Sequence, residues 1–281
     1  MSFHLEPNIF VSHVNMKVTD LKKSLSFYTE VIGFKVLHQS ETSAELSADG
    51  RSSLVRIFQP EGVTAKEART TGLYHFALLL PSRSHLASCL QHLIKTGYPL
   101  QGASDHLVSE AIYLADPDGN GIEIYSDRPS EKWKWTNGFV EMDTVALDVE
   151  DLFAKGVEEW KRLPEHTIMG HIHLHVGDLR SAEEFYCDAL GFDIVTRYGG
   201  QALFISTGGY HHHIGLNTWN GIGAPKPSEK SAGLQNFTLK FHNVEAREKV
   251  VENLKKNYSV EMKEDVFITQ DPSGTNILLI V

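Results

Sequence analysis

His13-Val-Asn-Met-Lys-Val-Thr-Asp-Leu21 returns later in the chain as His171-Ile-His-Leu-His-Val-Gly-Asp-Leu179, and this recurrence decides the fold. The run Val11 to Val18 alternates and is rich in β-formers, so it reads as a strand. Asp20 follows where a helix N-cap belongs, and Leu21, Leu25, Tyr28 and Ile32 then fall along one helical face. Gly33 supplies the left-handed residue that closes such a helix. Further landmarks repeat in order: Phe27-Tyr28 with Phe185-Tyr186, and Gly33-Phe34 with Gly191-Phe192. Gly72-Leu73 with Phe76 matches Gly233-Leu234 with Phe237, and Asp116-Pro-Asp-Gly119 matches Asp271-Pro-Ser-Gly274. Separate landmarks agreeing over most of the chain mark a duplication. Strand-like runs at Ala44–Ser47 and Leu54–Phe58 complete a first strand–helix–strands unit. Tyr74–Leu80, a helix near His85–Lys95, Ala111–Ala115 and Ile122–Tyr125 form a second. The expected organisation is an N-terminal domain over 1–128, a linker over 129–164 containing Trp133 and Trp135, and a C-terminal domain over 165–281.

Composition bounds the function. With 281 residues, 41% hydrophobic and 22% charged, the chain is an ordinary globular protein, long enough for two cores. A net charge of −10 argues against a sequence-independent grip on nucleic acid or on an anionic membrane surface. Two cysteines, Cys89 and Cys187, exclude a disulfide scaffold or a cysteine-rich metal site. The start, Met1 to Asn8, lacks the basic and apolar segments of a secretory signal, and no apolar run is long enough to span a bilayer. A cytoplasmic location is expected. The outlying count is histidine, at 15.

The frame HV…V.DL…S..FY…GF at the front of the first copy, closed by Asp116-Pro-Asp-Gly-Asn-Gly-Ile-Glu123, resembles the vicinal oxygen chelate superfamily of glyoxalases, bleomycin resistance proteins and extradiol dioxygenases. The resemblance covers nearly the whole chain. It implies an α+β fold of four βαβββ modules, forming two duplicated domains of cupped mixed sheet. It also implies metal ligands on the first strand of each module and on the last strand. Carried over by position, these are His13, His75 and Glu123. Two imidazoles and a carboxylate form the facial triad suited to Fe(II), with Mn(II) as the alternative, leaving positions for a diol and O₂.

A second motif narrows the resemblance. His106, Ile112-Tyr113, Asp116-Pro117, Gly119 and Glu123 stand in the order and spacing of the extradiol dioxygenase signature, departing from it at Ser104. Tyr113 would hydrogen-bond a bound catecholate, and His106 would bind substrate oxygen or shuttle a proton. The Asp-Pro-Asp-Gly run itself is a turn whatever the function.

The second copy keeps the frame but not the triad: His171 matches His13, whereas Asn236, Leu278 and Ile268 stand where His75, Glu123 and Tyr113 stand. Two-domain extradiol enzymes hold iron in the second domain, so a site in the first copy is a departure. Yet histidines crowd the second copy, at His171, His173 and His175 and at His211-His212-His213. The family's acid–base histidine falls at His213. A second cup lined by His171 and His213 is the weaker expectation, against a hydrogen-bonded ladder without metal.

The leading expectation is an extradiol dioxygenase acting on a small aromatic diol and O₂. A glyoxalase-like lyase or thiol transferase would want a second carboxylate ligand, which Leu54–Phe58 does not offer. A metal-free binder of a drug or aromatic compound leaves the triad without a purpose. Modules of this kind often pair edge to edge, so a homo-oligomer is compatible with the sequence.

Overall fold

A computed structural model describes residues 3–156 and 159–281. Met1 and Ser2 of the chain start, and residues 157 and 158 of the expected linker, lie outside the described residues. The first module runs β1 (Phe10–Lys17), α1 (Leu21–Ser26), β2 (Lys35–Gln39), β3 (Ser43–Ser47) and β4 (Val55–Phe58). The second runs β5 (Gly72–Leu79), α2 (Arg83–Thr96), β6 (Leu100–Asp105), β7 (Ser109–Ala115) and β8 (Gly121–Asp127). The connecting segment contains β9 (Trp135–Thr136), β10 (Phe139–Val140), β11 (Val145–Ala146) and α3 (Val149–Ala154). The third module is β12 (Ile168–His175), α4 (Leu179–Glu183), β13 (Asp193–Tyr198), β14 (Ala202–Ser206) and β15 (Ile214–Asn217). The fourth is β16 (Gly233–Lys240), α5 (Val244–Leu254), β17 (Val260–Lys263), β18 (Val266–Gln270) and β19 (Asn276–Ile280). The expected fold of four βαβββ modules in two cupped mixed sheets is what the chain forms.

Each module helix starts on a side-chain cap at the same place. Asp20, Ser82, Asp178 and Asn243 accept from the backbone N–H three residues on, satisfying a donor that the first turn leaves free. In the first and third modules the helix then widens into a π-helical segment, Phe27–Ile32 and Glu184–Ala189. The wider turn lets two adjacent residues point inward, and Phe27, Tyr28, Phe185 and Tyr186 are all buried. Two of the repeated sequence landmarks meet as a result. Tyr28 donates to Asp116 Oδ2 at 3.0 Å, and Tyr186 to Asp271 Oδ2 at 2.9 Å. The Phe-Tyr pair of one module thus locks onto the Asp-Pro turn of the next.

Sheet pairing crosses the two halves of the chain. One sheet has the order β17-β18-β19-β16-β1-β4-β3-β2, joining the fourth module to the first. The other has the order β11-β6-β7-β8-β5-β12-β15-β14-β13, joining the second module to the third. The physical cause lies in the modules themselves. Each leaves its first strand at an edge with unpaired backbone groups, which need a partner. Antiparallel pairing supplies it, β1 with β16 and β5 with β12. The inner faces of the two sheets share one core, where Met16, Phe76, Ile172 and Phe237 are buried, with Leu86, Leu90 and Leu93 of α2 packed into it. Along β12, Ile172 and Leu174 belong to this core, so alternation turns His171, His173 and His175 to the opposite face.

Candidate metal centre and active-site cavity

The β5–β12 pairing gathers three potential ligands from three strands. His75 stands on β5, Glu123 on β8, which runs parallel to β5, and His171 on β12. Their ligand atoms lie within 4.8 Å of one another, and all three residues are buried. Glu123 Oε2 is 3.0 Å from His75 Nε2 and 3.2 Å from His171 Nε2. Among the described residues this is the one such group.

Local irregularities make the convergence possible. At the β5–β12 register shift, His75 faces His173 and Leu73 faces Leu174, so Tyr74 is bulged and both it and His75 reach the cup. Gly121 opposes His75 across the parallel pair, and a Cβ there would sit 2.2 Å from the Tyr74 carbonyl oxygen. Glycine is therefore what lets β8 bring Glu123 so close to β5.

The donor set fits a divalent metal. His75 Nε2 is buried and approaches Glu123 without hydrogen-bond geometry, leaving a nitrogen with no partner of its own. Burial pushes His171 down to about 4, against the pull of Glu123, so its imidazole is neutral at pH 7. Burial opposes ionisation of Glu123 too, but the His171 and His75 imidazoles outweigh it and hold the carboxyl well below its ordinary range. Two imidazoles and one carboxylate at this spacing form a ligand set with room for further donors.

Beside the triad opens a cavity of about 410 Å³. Its wall includes Tyr113, His106, His173, His212, Phe204 and Trp219. Tyr113 on β7 lies directly across from Glu123. His106 Nδ1 donates to the Asp143 carbonyl at 2.9 Å, so its other nitrogen accepts from the Tyr113 hydroxyl at 2.5 Å. Burial, reinforced by Glu123, pushes the Tyr113 hydroxyl well above its ordinary pKa and keeps its proton in place. Along the cavity-facing side of β12, Asn217 bridges two histidines, with Oδ1 2.7 Å from His175 Nδ1 and Nδ2 2.9 Å from His173 Nε2.

Of the residues singled out in the sequence, His75, Glu123, His106 and Tyr113 lie together at this cavity, and His13 and His213 lie elsewhere. His13 lies in the other sheet, beside Thr238 Oγ1 at 3.2 Å and Ser12. Its strand pairs with β16, while the strand beside β5 carries His171, so His171 occupies the place expected of His13. The expected second cup dissolves for the same reason. His171 belongs to the triad, and Asn236 accepts from Asn15 in the other sheet at 2.5 Å. His213 turns away from the cavity, donating from Nε2 to the Phe3 carbonyl at 3.2 Å and accepting from Thr207 N at 3.3 Å. Its neighbour His212 lines the cavity instead, with its ring centroid 4.1 Å from that of His171. The connecting segment also contributes. Met142, Asp143 and Thr144 line the cavity, and β11 extends the sheet beyond β6.

The chain resembles known proteins in sequence and in fold. The family model described as Glyoxalase/Bleomycin resistance protein/Dioxygenase superfamily matches residues 11–124 and 168–277. The chain is 46% identical over 277 residues to Catechol-2,3-dioxygenase of Bacillus subtilis, covering 96% of this chain and 97% of that protein. It is 26% identical over 133 residues to Biphenyl-2,3-diol 1,2-dioxygenase 3 of Rhodococcus globerulus, covering 46% of this chain and 70% of that one. The crystal structure of glyoxalase I from Zea mays shares the fold, with a TM-score of 0.59 at 17% identity, covering 96% of this chain and 92% of that one. The chain belongs to the glyoxalase/bleomycin resistance protein/dioxygenase superfamily.

Proposed function

We propose that the chain is an extradiol ring-cleaving dioxygenase, with His75, Glu123 and His171 as the metal ligands. The observation that carries this reading is the triad opening into a cavity that also presents Tyr113, His106 and His212. The similarity to Catechol-2,3-dioxygenase over nearly the full length of both chains supports it. His75, Glu123 and His171 would hold Fe(II), with Mn(II) as the alternative, and the ion would supply Lewis acidity toward the diol and O₂. In the overall reaction the ring bond beside the diol breaks and both oxygen atoms enter the product.

The side chains divide the remaining work. His212 is neutral, because burial and the surrounding imidazoles, His171 first, hold it well below its ordinary pKa. It is placed to take a proton from the diol and return it as the ring opens. Tyr113, oriented by His106 and the Asp143 carbonyl, presents its oxygen to the substrate. Phe204, Trp219, Tyr74 and Ile122 give the ring an apolar wall. Among the described residues, those lining the cavity include the carboxylate of Asp143 but no lysine or arginine. The substrate class is therefore an uncharged catechol rather than one bearing a carboxylate. A glyoxalase-type site is disfavoured because the cluster holds a single carboxylate.

The test is to load the purified protein with Fe(II) without air, then add catechol and O₂. A yellow ring-cleavage product is expected. Bound iron without coloured product would overturn the reading.

A further inference from the structure

Behind His212 the structure contains a hydrogen-bonded chain that the reaction as described does not use. His211 Nδ1 lies 2.8 Å from His212 Nδ1, and His211 Nε2 lies 2.9 Å from Asp127 Oδ1. Asp127 ends β8, the strand that carries Glu123; its side chain is 23% exposed and lines a separate surface pocket with Arg128 and Trp133. Tyr210 also donates to Asp127 Oδ1 at 3.2 Å, and the Tyr125 and Tyr210 hydroxyls are 2.7 Å apart. The His211 ring is held in place, with centroid distances of 4.0 Å to Tyr210 and 5.2 Å to Trp133. His211 thus reaches Asp127 through one ring nitrogen and His212 through the other.

We propose that Asp127 and His211 are positioning residues that set the tautomer of His212 for ring cleavage. A carboxylate only accepts, so Nε2 of His211 carries the hydrogen. A ring with its single hydrogen on Nε2 accepts at Nδ1, so the hydrogen between the two histidines belongs to His212 Nδ1. The lone pair of His212 is left on Nε2, in a ring that lines the cavity beside the metal ligand His171. An aspartate orienting one imidazole is the arrangement of hydrolytic triads; here a second imidazole relays the order. The relay rests on the functional reading for its purpose, but its geometry stands apart from it.

Two readouts test it. In histidine-labelled protein loaded with Zn(II) as a diamagnetic probe, ¹⁵N shifts should show His212 protonated at Nδ1, and Asp127→Ala should abolish that preference. With Fe(II) and catechol, Asp127→Ala should lower kcat by about 10- to 100-fold at unchanged KM and iron content, the range for groups that orient a reacting residue. Asp127→Asn can present an amide N–H to His211 Nε2 and so reverse the order of donors, so it should also lose the His212 Nδ1 preference and should not recover the rate. A His212 tautomer unchanged in Asp127→Ala would overturn the proposal, as would a rate loss that only follows lost iron. A wild-type protein that cleaves no catechol yet shows the Asp127-dependent tautomer would refute the function and leave the relay standing.

Discussion

Removing the charge of Asp271 should stabilise the protein at neutral pH and not at acid pH. This aspartate is 4% exposed, at the turn into the last strand. Its Oδ1 accepts from the backbone of Ser273 and Thr275 at 2.9 and 2.8 Å, and its Oδ2 accepts from Tyr186. Burial nevertheless outweighs these donors and pushes the carboxyl from 3.8 up to about 6. The native state therefore binds this proton more tightly than the unfolded chain. Its contribution to stability is complete below pH 3.8 and is lost as the pH rises through about 6. At 1.36 kcal/mol per pH unit, the interval amounts to ~3 kcal/mol.

Asp271→Asn mimics the protonated form. After about 1 kcal/mol is lost in rearranging the Tyr186 hydrogen bond, it should be more stable than wild type by ~2 kcal/mol at pH 8. At about 2–4 °C per kcal/mol, that raises Tm by roughly 4–8 °C. Urea unfolding followed by tryptophan fluorescence at pH 4 and pH 8, with metal chelated, measures both limits. Tyr186→Phe provides the opposing control: with one donor gone, stability at pH 8 should fall by about 1.5–3 kcal/mol. The reasoning fails if Asp271→Asn is as destabilising at pH 8 as at pH 4, because the three donors would then more than compensate burial.

Other outcomes follow from the site. His212→Gln should slow ring cleavage by about 10²- to 10⁴-fold, the usual worth of a general base, whereas His213→Gln should leave turnover within a few-fold, as single-turnover kinetics would register. Gly121→Ala forces a methyl group against the Tyr74 carbonyl, 2.2 Å from the ideal Cβ position. It should cost about 1–3 kcal/mol in stability and weaken metal affinity by moving β8 from β5, both measurable by calorimetry.

Much of this was readable in the residues themselves. The Phe-Tyr and Asp-Pro landmarks mark the duplication because each pair forms one buried hydrogen bond, which constrains both ends. His75, His106, Tyr113 and Glu123 could be placed because all four belong to one module, where strand order fixes their spacing. Which histidine completes the triad could not be read locally. His13 and His171 occupy the same place in identical frames, and the choice depends on which first strands pair across the halves. One signal does point to the answer: the histidine-rich stretches, His171 to His175 and His211 to His213, lie in the module that follows directly after His75 and Glu123. The step from His213 to His212 is a matter of facing. Adjacent residues entering a strand point to opposite sides, and the sequence does not say which side meets the cavity. The cavity wall from Met142 to Thr144 lies in a connector, which has no periodicity to read.

Iron stoichiometry of the wild type, His171→Ala and His13→Ala, measured on anaerobically loaded protein, tests the metal centre most directly. If His75, Glu123 and His171 hold the metal, wild type and His13→Ala bind one Fe(II) per chain and His171→Ala loses it. Iron retained in His171→Ala, or lost in His13→Ala with the fold intact, would contradict the centre described here.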